Sequence, residues 1–319
     1  MSHFDVFNGD ADGLCALHQL RLARPTDGTL VTGVKRDIAL LARVPAGCGD
    51  TVTVLDVSLN TNRAPLGALL EKGVRIEYFD HHFPGVIPDH PALQAVIDTG
   101  PEVCTSLLVD RHLGGEHRAW AVVGAFGDNL HAAAIRAAAP LALDEAQLNL
   151  LRELGEYLNY NAYGETVEDL HFPPDRLYRL LHCYADPFAF IAQEPAFRKL
   201  RQGYADDMAL SEALRPEMES PGCALYILPD AAWSRRASGP LGNRLARQAP
   251  RRAHAVLTPR RDGGYTVSVR APLAAPTGAD ELCRRFETGG GRKGAAGINH
   301  LPEGRLSEFV AQFRLAFGC

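Results

Sequence analysis

The 319-residue chain lacks any excess of positive charge: 33 Lys and Arg stand against 38 Asp and Glu, a formal net charge of −5. A broad cationic track that holds a long nucleic acid by its backbone is therefore not expected, and any nucleotide must be gripped locally. Long apolar runs are missing too. Nowhere do eighteen apolar residues run together without charge, and the opening MSHFDVFNGD has no basic stretch leading into an apolar one. The expectation is neither export nor membrane insertion. The seven cysteines, at 15, 48, 104, 183, 223, 283 and 319, form no CxxC pair and no metal-finger spacing. Their odd count argues against a complete disulfide framework, so a reducing cytoplasm is expected. A GxSxG nucleophile elbow and a GxxxxGK phosphate loop are both absent. There is no fixed-period repeat and no low-complexity tract. What remains is a globular composition, 46% hydrophobic and 22% charged, long enough for two domains.

Residues 3 to 130 alternate short apolar runs with longer amphipathic ones, the signature of a layered α/β domain with a largely parallel sheet flanked by helices. HFDVF, TVTVLDVS and VRIEYFDHH read as strands; GLCALHQLRLA and NRAPLGALLEKG read as helices. AWAVVGAFGDN repeats the arrangement of an apolar run followed by an acid, here Asp128. In open α/β sheets the ligand crevice lies outside the carboxyl ends of the strands, so the polar clusters behind these runs are placed to meet. The middle of the chain reads as helices broken by Pro187 and Pro195. Strands resume with CALYILP, HAVLTPR and YTVSVRAP, followed by a glycine-dense loop, ELCRRFETGGGRKGAAGINHL, and a last amphipathic helix, LSEFVAQFRLAF. The expected organisation is a catalytic domain over 1–195, a helical connector over 196–220 and a smaller α/β domain with a mixed sheet over 221–319.

Asp10 and Asp12, one residue apart in NGDADG, would repel unless a hard divalent cation accepts both, and Gly9 and Gly13 suit a tight strand-to-helix turn. The same segment also reads as a solvated turn or an Asx cap at the helix start. Asp56 follows a run expected to be buried, where an unpaired carboxylate is costly; a bridging position between two cations about 3.5–4 Å apart would satisfy it. Asp80, His81 and His82 close the next strand. His81 is assigned as a metal ligand, His82 as a phosphate contact and Asp80 as the group that fixes an imidazole.

The ordered set NGDADG, LDVS, DHH and GDN, followed far downstream by GGGRKGAAG, resembles the DHH phosphoesterase family with its DHHA1-type C-terminal domain. That family includes single-strand-specific exonucleases, short-oligonucleotide ribonucleases, phosphatases of adenosine 3′,5′-bisphosphate and cyclic-dinucleotide phosphodiesterases. The resemblance implies two divalent cations, Mn²⁺ first and Mg²⁺ or Co²⁺ as alternatives. Asp10 would ligate one and Asp12 the other, Asp56 would bridge them, and His81 and Asp128 would complete the second site. Asp80, His82 and Asn8 make up the rest of the catalytic set, and Gly289, Gly290, Gly291, Arg292 and Lys293 would bind the substrate. Three departures stand out. Val6 occupies the place where many members carry a ligating His, and Asn8 the place of another Asp. GGGRK replaces the common GGGH, exchanging imidazole for Arg and Lys, which also bind phosphate.

Asn243 and Arg244, near the start of a helix candidate in GPLGNRLARQ, and Arg270 after YTVSV are further phosphate or base contacts, with helix decoration as the alternative. The expected activity is metal-dependent hydrolysis of short oligonucleotides or bisphosphonucleotides by metal-activated water. Long-strand exonuclease action, cyclic-dinucleotide hydrolysis and a non-catalytic nucleotide-binding role are the alternatives. The resemblance also implies a homodimer.

Overall fold

The computed structural model describes residues 1–319, which divide into two compact units, Met1–Gln202 and Gly203–Cys319. In the first, β1 (His3–Phe7), β2 (Thr29–Val31), β3 (Thr51–Leu55), β4 (Arg75–Asp80) and β5 (Leu93–Ile97) form one all-parallel sheet in the order β2-β1-β3-β4-β5. Its central strands alternate, with Phe4, Val6, Val52, Val54, Ile76 and Tyr78 on one face and Asp5, Thr53 and Glu77 at the intervening positions. Phe4, Val6, Val52, Val54, Ile76 and Tyr78 form one core with Leu66, Leu69 and Leu70 of α2 (Arg63–Glu71). On the other face α1 (Ala11–Ala23) is buried from Ala11 to Arg21, which requires a bond-satisfied polar side. Arg21 supplies it: its guanidinium meets Asp5 at 2.5 Å and Thr53 Oγ1 at 3.1 Å.

Behind α1 lie α3 (Thr105–His112), α4 (Arg118–Gly127), α5 (His131–Ala138) and α6 (Glu145–Asn161), followed by α7 (Pro174–Leu181), α8 (Pro187–Gln193) and α9 (Pro195–Glu212). AWAVVGAFGDN therefore belongs to a helix, α4, and not to a strand. The run is apolar all round because α4 is buried between α1, α3 and α6, so it shows no helical stripe. Its small residues allow the approach: a Cβ on Gly127 would collide with the Cβ of Ala11 and lie 2.9 Å from Gly155 O.

The second unit holds a six-stranded mixed sheet in the order β10-β11-β9-β8-β7-β6, built from β6 (Met218–Glu219), β7 (Cys223–Ile227), β8 (Ala253–Pro259), β9 (Tyr265–Arg270), β10 (Gly289–Arg292) and β11 (Ala295–Leu301). β7 and β8 are parallel and are joined by α10 (Ala232–Gln248); the other neighbours are antiparallel. α11 (Ala279–Cys283) and α12 (Leu306–Phe317) seal the opposite face with Leu282, Phe309 and Phe313.

Two expectations are corrected here. The glycine-dense segment is a hairpin, β10 with β11, in which Gly290 pairs with Gly297 and Gly291 with Ala296. Gly289 has no space for a side chain, since its Cβ would fall on Cys283 O, and Gly291 has φ +136. Those glycines serve strand packing at a place where glycine usually signals a loop. Asn243 and Arg244 lie well inside α10, whose start at Ala232 precedes them by three turns; Pro240 sits within the same helix. Among the cysteines, Cys223 and Cys319 form a disulfide, which the expectation of a reducing environment did not include, and the other five are free. No helix is long and apolar enough to cross a membrane.

Candidate metal centre

The site forms where β1, β3, β4 and α4 end. Asp56 directly follows β3 and adopts φ 59, a left-handed backbone that a β-carbon makes costly. Its own N–H, bonded to Phe79 O at 3.0 Å, ties that turn to β4. Asp128 caps the end of α4, and the next residue, Asn129, also has a left-handed backbone, φ 62. Asp80 ends β4 and holds the turn behind it: its Oδ1 accepts from the N–H groups of His81 and His82 and lies 2.7 Å from His82 Nδ1.

Asp56 Oδ1 lies 3.3 Å from His81 Nε2 and 4.0 Å from His82 Nδ1, and accepts from Thr105 Oγ1 at 3.2 Å. Ligand atoms of Asp56, His81 and His82 all fall within 4.8 Å of one another. Asp128 Oδ2 is 3.9 Å from the same His81 nitrogen. His81 Nδ1 sits 2.9 Å from Val103 O, so it carries the hydrogen and leaves Nε2 toward the two carboxylates, the orientation a metal ligand needs. His81 is buried, whereas the His82 side chain is 45% exposed; the rings touch edge to face, with centroids 4.5 Å apart. Adjacent histidines thus stand side by side, because the chain turns after Asp80 in place of continuing as a strand.

Burial, reinforced by the negative charges of Asp10 and Asp12, pushes the Asp56 carboxyl well above its ordinary range against the pull of His81. Burial also disfavours a charged His81, but the hydrogen bond to Asp56 and the charges of Asp128 and Asp56 outweigh it and push the imidazole up to about 10. The buried pair therefore retains a proton in a place crowded with carboxylates. A divalent cation would answer the same electrostatic need, and the carboxylate and imidazole donors fit Mn²⁺.

Asp10 and Asp12 face other partners. Asp10 Oδ1 caps α1, accepting from Asp12 N and Gly13 N at 3.1 Å each, while Oδ2 pairs with the Lys35 ammonium. Both Asp12 oxygens receive the start of α3, from Thr105 N and Ser106 N at 2.7 Å and Ser106 Oγ at 2.5 Å. Asn8 closes an Asx turn, its Oδ1 accepting from Asp10 N at 3.3 Å. Lys35, Thr105, Ser106 and Asn159 carry no signal in the sequence that singles them out. Lys35 reaches Asn159 Oδ1 at 2.9 Å and Asp128 Oδ1 at 4.0 Å.

In the second unit, Arg270 Nε donates to Asn243 Oδ1 at 2.8 Å, so these two expected contacts do meet. Another Arg270 nitrogen, Nη1, donates to Ser268 Oγ at 2.8 Å. Gly289 and Gly290 are half-buried in β10, with Gly291, Arg292 and Lys293 exposed toward the hairpin turn.

No protein-family model matches the sequence, and no curated protein does. Solved structures do match. An exonuclease RecJ bound to manganese is 20% identical with a TM-score of 0.64, covering 99% of this chain and 90% of that one. RecJ of Thermus thermophilus in complex with Mn²⁺ is 18% identical with a TM-score of 0.60; 99% of this chain spans 52% of it. The pGpG-specific phosphodiesterase PggH of Vibrio cholerae is 14% identical with a TM-score of 0.55, covering 100% of this chain and 99% of that one. The chain accordingly shares its fold with these RecJ structures and with PggH.

Proposed function

We propose that the protein is a divalent-metal-dependent phosphoesterase hydrolysing phosphate esters of short oligonucleotides or bisphosphonucleotides by attack of water. The observation that carries this reading is the cluster of Asp56, His81 and His82 at the carboxyl edge of a parallel sheet. Asp56, His81 Nε2 and Asp128 would hold the cation, with Mn²⁺ the first candidate and Mg²⁺ or Co²⁺ as alternatives. When bound, the cation supplies a Lewis acid that acidifies the attacking water and neutralises a phosphoryl oxygen. The chain's own groups do the rest. Val103 O fixes the His81 tautomer, and Thr105 steadies Asp56. Asp80 grips His82 through Nδ1, leaving the rest of a half-exposed ring to donate to the phosphoryl group. A second cation on Asp10 would have to displace the Lys35 ammonium from that carboxylate.

Short substrates are favoured by the net charge of −5, which gives a long strand no general hold. Arg292, Lys293 and the Gly289–Gly291 strand are proposed to bind the terminal phosphate or nucleotide, with Asn243 and Arg270 as further contacts. The test is turnover of a 5-mer, a 30-mer, adenosine 3′,5′-bisphosphate and a cyclic dinucleotide side by side, with Mn²⁺ and with EDTA. Strong preference for the 30-mer would refute short-substrate specificity. Nucleotide binding without Mn²⁺-stimulated turnover would identify a non-catalytic module, and undiminished turnover in Asp56→Ala and His81→Ala would sink the site.

A further inference from the structure

We infer that Lys35 takes the place of one of the two cations expected of such a centre, so that the site holds a single divalent cation beside a fixed ammonium group. The inference rests on the metal-dependent reading above and assigns the remaining half of the site. The Lys35 ammonium pairs with Asp10 Oδ2, lies 2.9 Å from Asn159 Oδ1 and stands 4.0 Å from Asp128 Oδ1. It is a built position. The Lys35 N–H donates to Ala162 O at 2.9 Å, its carbonyl accepts from Asn8 Nδ2 at 3.3 Å, and its Nζ lies 5.8 Å from the centre of the Tyr163 ring. Gly9 lets this segment come close, because a Cβ there would collide with Gly33 O.

The other residues around Asp10 leave a cation little to bind. Val6 is fully buried and offers no donor atom, and Asn8 Oδ1 is turned onto Asp10 N. Asp10 Oδ1 is occupied by two backbone N–H groups of α1, and both Asp12 oxygens by α3. A dication entering there would set a half-buried ammonium against a second positive charge on the same carboxylate. Asp128 joins the two halves. One of its oxygens is 4.0 Å from Lys35 Nζ and the other 3.9 Å from His81 Nε2. A phosphoryl group held at Asp56 and His81 would thus meet the lysine N–H donors on its flank, where a second cation would otherwise neutralise it.

The test is metal stoichiometry, read without turnover by equilibrium dialysis of Mn²⁺ against the 319-residue chain and by the electron paramagnetic resonance spectrum of the loaded protein. Wild type is expected to take one Mn²⁺ and show an uncoupled six-line spectrum. Lys35→Ala, which releases Asp10 Oδ2, Asn159 Oδ1 and Asp128 Oδ1 as donors for a cation, is expected to take two and show spin coupling; Lys35→Met, retaining the apolar stem, serves if the alanine variant does not fold. Two coupled Mn²⁺ ions in wild type, or a single ion in the folded Lys35 variants, would overturn the inference. Failure of the metal-dependent reading looks different: wild type would bind no Mn²⁺, or His81→Ala would bind it as tightly as wild type.

Discussion

Metal loading and proton release should be coupled one to one at His81. In the metal-free chain burial opposes a charged imidazole, yet the Asp56 hydrogen bond and the charges of Asp128, Asp56 and Asp12 keep it protonated up to about 10. Val103 O already takes the Nδ1 hydrogen, so the proton a cation must expel is the one on Nε2, 3.3 Å from Asp56. Each Mn²⁺ bound at about pH 8 should release one proton, and affinity should rise about tenfold per pH unit until the pH passes the folded pKa. Titration calorimetry in two buffers of different ionisation enthalpy measures this directly. The stability of the metal-free chain has a matching sign. A folded pKa above the ordinary 6.5 contributes stability that is full below about 6.5 and is lost as pH rises toward about 10. The loss should be on the order of a few kcal/mol, seen as a falling melting temperature in EDTA that Mn²⁺ suppresses. A binding enthalpy independent of buffer, together with an affinity flat in pH, would refute the argument.

Two further outcomes follow from the packing around the site. Asp12→Ala removes the acceptor for three donors at the start of α3, so the metal-free chain should lose about 2 kcal/mol or more, with faster hydrogen exchange at Thr105 and Ser106; unchanged exchange there would exclude the capping role. Arg21→Met leaves buried Asp5 with only the His3 imidazole at 3.1 Å and should cost about 3 kcal/mol in denaturant melts, most of it recovered in Asp5→Leu/Arg21→Met; a double variant no better than the single would argue against it.

Much of the first unit is legible because its elements announce themselves. TVTVL is a β-branched run between turn residues, and GLCALHQLRLA has the length of a helix, so both lie where local preference and tertiary packing agree. α4 reads as a strand because a helix buried on every side loses its amphipathic stripe and leaves only an apolar run, which a buried strand shares. The hairpin of β10 and β11 reads as a loop for the opposite reason. Its glycines are required by the close approach of Cys283 and Ala296, a tertiary fact that composition cannot contain.

The site divides along the same line. Asp56, Asp80, His81 and His82 are legible because each directly ends or follows a recognisable strand, and the carboxyl edge of a parallel sheet gathers whatever residues stand there. The motif acids Asp10 and Asp12 are legible as residues but not as partners, since an aspartate in a strand-to-helix turn satisfies a metal and a helix N-terminus with the same oxygens. Asp10 caps its own helix, which is one of the readings NGDADG offers, whereas Asp12 caps α3, over ninety residues away, and nothing in NGDADG contains that partner. Lys35 is invisible for a further reason: GVKRD has no motif, and the lysine acquires its role only when β1, the segment after β2 and α6 bring Asp10, Lys35 and Asn159 together. Val6 and Asn8, legible as departures, find their counterpart there. An ammonium group that needs no ligand set of its own can neutralise Asp10 where the usual donors for a cation are missing.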